Sequence, residues 1–284
     1  VSIWFMEVNE YLPTEPFFSR FSPNGFKRND VDADTLEEKE EMQYWKTYGY
    51  TEQEAAAQIL FMRVCSQLGR IFPQLFSCYA QPVDFLIPKF HVDSVIYEFL
   101  SLPKEDFVLS QGGQAEMIGW LYQYFHTERK EETFALLQKN IKITKERIPA
   151  ATQLFTPDWI VRYMVENSVG KLWLEQHPNA ELEEKWTYYL KSNNTSSREK
   201  YSTELRPQDI TILDPCMGSG HILVYAFDIL MDIYGSQGYT KREAAGQIIA
   251  NNLYGLEIDD SVSELAHFVI MMKARFYDET ILEQ

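Results

Sequence analysis

The stretch that most constrains the fold is DITILDPCMGSGHILVYAFDIL, residues 209–230, which joins a strand pattern to a helix pattern through glycines. Residues 209–214 are compact and β-branched, as is typical of a buried strand. Gly218 and Gly220 let the backbone approach a ligand closely, just before a helix begins. The helix is predicted from apolar residues that recur at helical spacing: Ile222, Leu223, Ala226, Phe227, Leu230 and Ile233.

A second strand is predicted at 252–259, after a short helix at 240–251, and a further helix pattern follows from 262 to 276. The order strand, helix, helix, strand, helix predicts a parallel βαβ unit. Ligands of open α/β sheets bind at the carboxyl ends of the strands. Asp214 ends the first strand and Glu257 lies near the end of the second, so both are predicted to face one ligand.

Residues 1–147 are predicted to form an all-helical region, because nothing before residue 150 alternates like a strand. A capping-box pattern, TEQE at 51–54, precedes a helix that is expected to reach about residue 70. Helices are also expected at 88–102 and 114–141.

Residues 148–284 are predicted to be a second domain of α/β class. Its first helix is expected to begin at the FTP sequence and to reach about residue 176. Thr156 is predicted to be the N-cap of this helix and Pro157 its first residue.

The composition favours an intracellular, cytoplasmic protein. Three cysteines without a C-x-x-C pattern fit a reduced protein better than a disulfide framework or a zinc site, and no metal site is predicted. No apolar window is long enough for a membrane span, and no signal peptide opens the chain. The formal net charge of −16 is unfavourable for a protein that binds nucleic acid by itself, because contacts to phosphates need Lys and Arg.

A dinucleotide site is one alternative for the glycine turn. The fingerprint G-x-G-x-x-G counted from Gly218 requires glycine at position 223, where this chain has leucine. Glu257 lies 37 residues past Gly220, against the roughly 20 of dinucleotide-binding folds. The carboxylate of Asp214 would also repel a pyrophosphate, so a nicotinamide cofactor is disfavoured.

S-adenosylmethionine (SAM) fits the turn better, because it carries cationic groups and ribose hydroxyls but no phosphate. Asp214 is predicted to attract its cationic part, and the backbone of Cys216, Gly218 and Gly220 to approach it closely. The alternative is that Gly-Ser-Gly is only a tight strand-to-helix turn. His221, beside it, is predicted to be a packing residue rather than a cofactor contact.

Other residues are predicted to complete the SAM site. Glu257 can accept hydrogen bonds from both ribose hydroxyls, and Ile258 would lie against the adenine. The segment with Gln153, Phe155 and Thr156 leads into a helix whose free backbone N–H groups favour an anion such as the methionine carboxylate. The alternative for this segment is an ordinary capped amphipathic helix.

These three stretches, in this order, resemble the amino-DNA methyltransferases, in which F-T-P is followed by D-P-x-x-G-S-G and then by G-[DE]-I-D. One departure is CM at 216–217, where that family usually has Ala-Cys. The chain more closely resembles the PglX-type adenine-specific methyltransferases of BREX phage-defence systems. That resemblance rests on MEVNEYLP, IGWLYQYF, IPAATQLFTPDWIVRYMVENSVGKLWL and LDPCMGSGHIL.

The resemblance implies a Rossmann-like SAM-dependent methyltransferase sheet that methylates N6 of adenine in host DNA. The target base would be flipped out of the duplex and held by an Asn-Pro-Pro-Tyr loop. No [NDS]-P-P-[YFW] sequence occurs in this chain, so no catalytic residue is assigned, and the loop is expected beyond Gln284. The chain, which opens with Val1, is therefore expected to be an inactive N-terminal fragment.

The resemblance also implies partners. Double-stranded DNA would be bound mainly by the missing C-terminal part, and other defence-system proteins are possible partners, whereas no membrane is expected. Two alternatives stay open: a methyltransferase that acts on RNA or protein, and a non-catalytic interaction module of a defence complex.

Overall fold

The computed structural model describes residues 1–13, 16–22, 25–26, 36–76, 98, 100–125, 127–152, 156–191 and 204–283. Of the residues in these ranges, 68% are helical, and a small two-stranded parallel sheet lies near the C-terminus. It forms two compact units, Val1–Gln114 and Ala115–Gln284. The division into domains at residues 147 and 148 stays a prediction. No helix in the described ranges is long and apolar enough to cross a membrane.

The first unit is built mainly from helices. Its elements are α1 (Ser2–Val8), β1 (Phe21–Ser22), β2 (Gly25–Phe26), α2 (Leu36–Thr47), α3 (Glu52–Leu68) and α4 (Pro73–Phe76). The capping box is confirmed, because Thr51 accepts from the Glu54 backbone N–H while the Glu54 carboxylate accepts from that of Thr51. The predicted helix at 88–102 lies largely outside the described residues.

The prediction that residues 1–147 are all-helical is wrong at one place. Strands β1 and β2 pair antiparallel, with Phe21 opposite Phe26 and Ser22 opposite Gly25. A ladder of two residue pairs is too short to leave an alternating pattern in the sequence, which is why the pattern did not reveal it.

Within its described residues, the second unit contains nine α-helices and the parallel sheet. The helix predicted at 114–141 is two helices. The elements are α5 (Met117–Phe125), α6 (Thr127–Gln138), α7 (Ile148–Thr152), α8 (Asp158–Val165), α9 (Lys171–Gln176), α10 (Ala180–Lys185), β3 (Ile212–Asp214), α11 (His221–Ser236), α12 (Lys241–Asn251), β4 (Leu253–Gly255) and α13 (Asp260–Tyr277).

The helix predicted from the FTP sequence to residue 176 differs from the expectation at its start and middle. Pro157 keeps an extended ψ of 141°, and no side chain caps the first turn, so the predicted cap at Thr156 is wrong. A π-helical turn, Glu166–Gly170, separates α8 from α9. Only glycine fits at position 170, because a Cβ there would lie 2.8 Å from a ring carbon of Trp186.

The predicted parallel βαβ unit is confirmed. Strands β3 and β4 pair in parallel, with Ile212 opposite Leu253 and Asp214 opposite Gly255, and α11 and α12 lie between them in the chain. The buried apolar core of this unit is drawn largely from α8, α11 and α12 and includes Val161, Val165, Ala226, Phe227, Leu230, Ile233, Ala245 and Ile248.

Asn252, the residue just before β4, joins three parts of this unit and is fully buried. Its amide nitrogen donates to the carbonyl oxygens of Pro207 at 2.8 Å and Ile210 at 2.7 Å. Its amide oxygen accepts from the Tyr234 hydroxyl at 3.0 Å, and its backbone oxygen accepts from the Ile212 N–H at 2.8 Å. The side chain therefore satisfies buried groups ahead of β3 and on α11.

Replacing Asn252 with leucine should destabilise the protein by about 2–4 kcal/mol, because it removes three buried hydrogen bonds and leaves the Ile210 carbonyl and the Tyr234 hydroxyl without the amide that they contact. The free energy of unfolding in urea measures the loss. Asn251→Leu is the matched control: its amide bonds only Gln247 in its own helix, so we expect a change within about 0.5 kcal/mol. Equal losses in the two variants would contradict the role given to Asn252.

Candidate cofactor site

The loop that follows β3 is fastened to the segment that follows β4. The Leu256 N–H donates to the Asp214 carbonyl at 2.9 Å, and the Met217 N–H donates to the Leu256 carbonyl at 3.0 Å. These bonds continue the parallel ladder beyond the ends of both strands. Residues 214–220 and 255–259 therefore lie side by side at the carboxyl edge of the sheet.

Asp214, the last residue of β3, is a buried carboxylate with one oxygen used and one unused. Its Oδ1 accepts the Cys216 N–H at 3.1 Å. Its Oδ2 is buried and has no hydrogen-bond partner among the described residues. A buried carboxylate oxygen in this state is costly unless a donor reaches it, so a cationic or N–H-bearing ligand fits this position.

Glu257 reaches from the end of the second strand to the glycine turn. Its Oε2 accepts the Gly218 N–H at 2.9 Å, and its Oε1 accepts the N–H groups of Ile258 at 2.8 Å and Asp259 at 3.2 Å. The structure thus places this carboxylate against the glycine turn. Three backbone donors hold it in a single orientation.

Gly220 is required where the turn enters α11. It adopts a left-handed φ of 83°, and a Cβ at this position would lie 3.2 Å from the Cβ of Ala266 on α13. Gly218 also has a positive φ, of 54°. A side chain at position 255, on the neighbouring strand, would overlap the Met217 sulfur. At positions 220 and 255 the backbone is therefore packed too tightly for a side chain.

The start of α8 meets the same turn through His221. The Nε2 of this buried histidine lies 3.9 Å from Asp158 Oδ1, the first residue of α8. Its Nδ1 is buried and has no hydrogen-bond partner among the described residues. The FTP helix and the glycine turn, far apart in sequence, are thereby brought to one place.

Most of the predicted site residues come together. Asp214, Cys216, Gly218, Gly220 and Glu257 form one connected cluster through the bonds given above. Ile258 follows that cluster and is 68% exposed. Thr156 lies two residues before Asp158, whereas Gln153 and Phe155 lie outside the described residues.

A row of polar residues behind the cluster was not predicted. Asp158, Arg162 and Glu166 lie four residues apart on α8 and its π turn, facing His221 and Tyr225 on α11. The i, i+4 spacing of alternating charges was visible in the sequence, but it is usually the mark of a solvated helix face. Within the described ranges, no cluster of three or more His, Cys, Asp or Glu side chains is placed to hold a metal ion.

Gly220→Ala should cost more stability than Gly238→Ala, which is its matched control. Both glycines have the same left-handed φ, 83° and 84°, so alanine pays a similar backbone strain of about 1–2 kcal/mol at each. An added Cβ meets Ala266 at Gly220 but nothing within 4 Å at Gly238. We expect an extra loss of about 1 kcal/mol at position 220 in urea denaturation; equal losses would contradict close packing at the turn.

Comparison with protein-family models finds no match, but comparison with curated proteins does. The adenine-specific methyltransferase PglX of Lacticaseibacillus casei (strain Zhang) is 37% identical over 300 residues, which cover 97% of this chain and 24% of that protein. BrxX of Escherichia coli O9:H4 (strain HS), also described as an adenine-specific methyltransferase, is 37% identical over 81% of this chain and 19% of its own length.

A more distant relative is a putative type II restriction enzyme and methyltransferase of Methanocaldococcus jannaschii, 32% identical over 39% of this chain. The chain spans about a quarter or less of the length of the relatives it matches. It is homologous to the adenine-specific methyltransferases PglX, over 97% of its length, and BrxX, over 81% of its length.

Proposed function

We propose that this chain carries the SAM site of an adenine-specific DNA methyltransferase. The observation that carries the proposal is the pair of carboxylates at the carboxyl edge of the parallel sheet: Asp214 ends β3, and Glu257, two residues past the end of β4, accepts the Gly218 N–H of the glycine turn. The names of PglX and BrxX, adenine-specific methyltransferases, support the choice of reaction.

Asp214 would hold the positively charged part of the cofactor. Its Oδ2 is buried without a partner among the described residues, and it offers an acceptor to an ammonium group. The backbone of Cys216, Gly218 and Gly220 would form the wall of the site, and Gly218, which has a positive φ and no side chain, would let a ligand approach. Substitution of the family's usual Ala-Cys by Cys-Met is tolerated in this proposal, because this wall is made of backbone.

Glu257 would accept the two ribose hydroxyls, and the exposed side chain of Ile258 would cover the adenine. The methionine carboxylate would lie at the start of α8, with Gln153, Phe155 and Thr156 around it, since backbone N–H groups in the first turn of a helix attract an anion. S-adenosylmethionine supplies the methyl group when it is bound.

The two strands would be the first part of a larger Rossmann-like sheet. Leu213, Tyr254 and Leu256 are 58%, 50% and 60% exposed, on the face opposite Ile212 and Leu253. Parallel sheets are covered on both faces, so an apolar face this exposed supports further packing in the whole protein. In that protein, 148–284 would be the N-terminal part of the methyltransferase domain and 1–147 a preceding helical region.

The methyl acceptor would be N6 of an adenine in double-stranded DNA, flipped out of the duplex. The sequence contains no Asn-Pro-Pro-Tyr loop, so this chain's residues would bind and orient the cofactor. The remainder of the whole protein would hold the base and most of the DNA. The proposal includes a role in BREX phage defence, with other defence proteins as partners.

Glu257→Ala in the full-length protein should raise the SAM dissociation constant at least about fivefold, which corresponds to about 1 kcal/mol for hydrogen bonds to a charged group. Calorimetric titration measures it, with NAD as the control ligand. Glu279→Ala removes an exposed carboxylate from the same unit and should leave the affinity unchanged. Unchanged affinity in a folded Glu257→Ala variant would exclude the ribose assignment.

The identity of the methyl acceptor is tested separately. The full-length protein is incubated with SAM that carries a labelled methyl group and with DNA, RNA or protein as the substrate. Incorporation into adenine of DNA is the expected result. Incorporation into RNA or protein alone would favour the corresponding methyltransferase, and binding of SAM without any transfer would favour a non-catalytic module.

A further inference from the structure

Two rows of side chains face each other between α8 and α11. One row is Asp158, Arg162 and Glu166, each four residues after the last, on α8 and the start of its π turn. The other is His221 and Tyr225, four residues apart on α11. Residues at this spacing share one helix face. We call the five residues the polar ladder.

The inner end of the ladder is Glu166, which is 1% exposed. Its Oε1 accepts the Tyr225 hydroxyl and its Oε2 the Tyr188 N–H, both at 2.6 Å. Burial first, and then the neighbouring carboxylate, raise the pKa of Tyr225 well above its ordinary value, so its hydroxyl stays protonated and donates. The buried acid is therefore satisfied, and it fixes the position of Tyr225 on α11.

The middle of the ladder is Arg162. Its Nε donates to Asp158 Oδ2 at 2.6 Å, and its guanidinium carbon lies 5.1 Å from the centre of the Tyr225 ring. Burial lowers the pKa of Arg162, but the hydrogen bond and charge of Asp158 outweigh it, so the net shift is upward. The row of charges on α8 and its π turn thus alternates negative, positive, negative. Arg162 contacts Asp158 on its own helix and Tyr225 on α11, and Glu166 contacts Tyr225.

The outer end of the ladder is the contact between Asp158 and His221. The distance of 3.9 Å from Nε2 to Oδ1 is within ion-pair range for a protonated imidazole and longer than a hydrogen bond. The edge of Trp120 on α5 approaches the same imidazole, with ring centres 6.4 Å apart. His221 directly follows Gly220, so this contact joins the start of α8 to the turn itself.

We propose that the polar ladder fixes the register of α8 along α11, and that His221 is the positioning residue that aligns the start of α8 with the glycine turn. The inference rests on the proposed function, because both segments would bind SAM. The buried side chains of Val161 and Val165 help to hold the helices together, but apolar burial has no directional partner. The Glu166–Tyr225 hydrogen bond, the Asp158–His221 contact and the stacking of Arg162 on Tyr225 cross between the two helices, and a shift of α8 by one residue along α11 would break all three.

If His221 aligns α8 with the glycine turn, its removal should have different effects than if it only stabilises the fold. Loss of structure alone would lower the free energy of unfolding and leave the SAM affinity of the folded protein unchanged. Loss of alignment would weaken SAM binding in a protein that remains folded. In kinetics it would raise KM for SAM while kcat at saturating SAM stays within about twofold.

The test uses the full-length protein and calorimetric titration with SAM. His221→Leu should raise the dissociation constant about tenfold, whereas His221→Gln, which can keep an N–H facing Asp158, should stay within about threefold. His267→Leu, at an exposed position on α13, is the matched control and should leave the affinity unchanged. Should His221→Leu fail to fold, the glutamine variant and Asp158→Asn carry the comparison.

A double-mutant cycle completes the test. Asp158→Asn alone should weaken SAM binding several-fold, and its combination with His221→Leu should be little worse than the worse single variant, because both break one contact. Effects that multiply, or His221→Leu with wild-type affinity in a folded sample, would overturn the inference and leave the proposed function standing. A folded wild-type protein that does not bind SAM would overturn both.

Discussion

The sheet and the site both depend on the buried amide of Asn252. This side-chain amide is hydrogen-bonded to Pro207 and Ile210 ahead of β3 and to Tyr234 on α11. The backbone carbonyl of Asn252 accepts the first N–H of β3. A two-stranded parallel ladder has few hydrogen bonds with which to set its own register. These side-chain bonds supply what the short strands lack, and they fix which residues of the two strands face each other.

The register of β3 and β4 determines which residues lie at the carboxyl edge of the sheet. With Asp214 opposite Gly255, the ladder continues through Leu256 into the turn, and Glu257 arrives at the Gly218 N–H. A one-residue slip would turn side chains to the other face of the sheet and separate the two carboxylates. Position 255 admits no side chain because Met217 packs against it, so the glycine of the second strand belongs to the same arrangement as the glycines of the turn.

The sequence was sufficient for the parts of this unit whose signals are local. The capping box at Thr51 and the helix predicted at 240–251 each depend on residues a few positions apart, and both are found in the structure. The cap at Thr156 failed because Pro157 keeps an extended backbone, so the helix begins one residue later than a proline at the first helical position implies. The spacing of DPCMGSG and GLEID was enough to place Asp214 and Glu257 together.

The polar ladder could not be predicted from the sequence, for a different reason. A charged row on a helix is normally solvated, and only the packing of α8 on α11 turns Glu166 into a buried acceptor for Tyr225. Gly170, the last residue of the π turn, lies against the Trp186 ring, a contact between residues distant in sequence that no local pattern encodes. Long-range packing, rather than propensity, decides such features.

The two carboxylates of the site differ in how ready they are for a ligand. Asp214 is held by one bond from the Cys216 N–H and keeps a buried oxygen without a partner among the described residues, so a donor gains a full hydrogen bond there. Glu257 already accepts three backbone N–H groups, so it is rigid before any ligand arrives. Rigidity lowers the entropy cost of binding, but those bonds also shape the turn. Removing Glu257 therefore changes the wall of the site as well as an acceptor, whereas removing Asp214 changes mainly the acceptor.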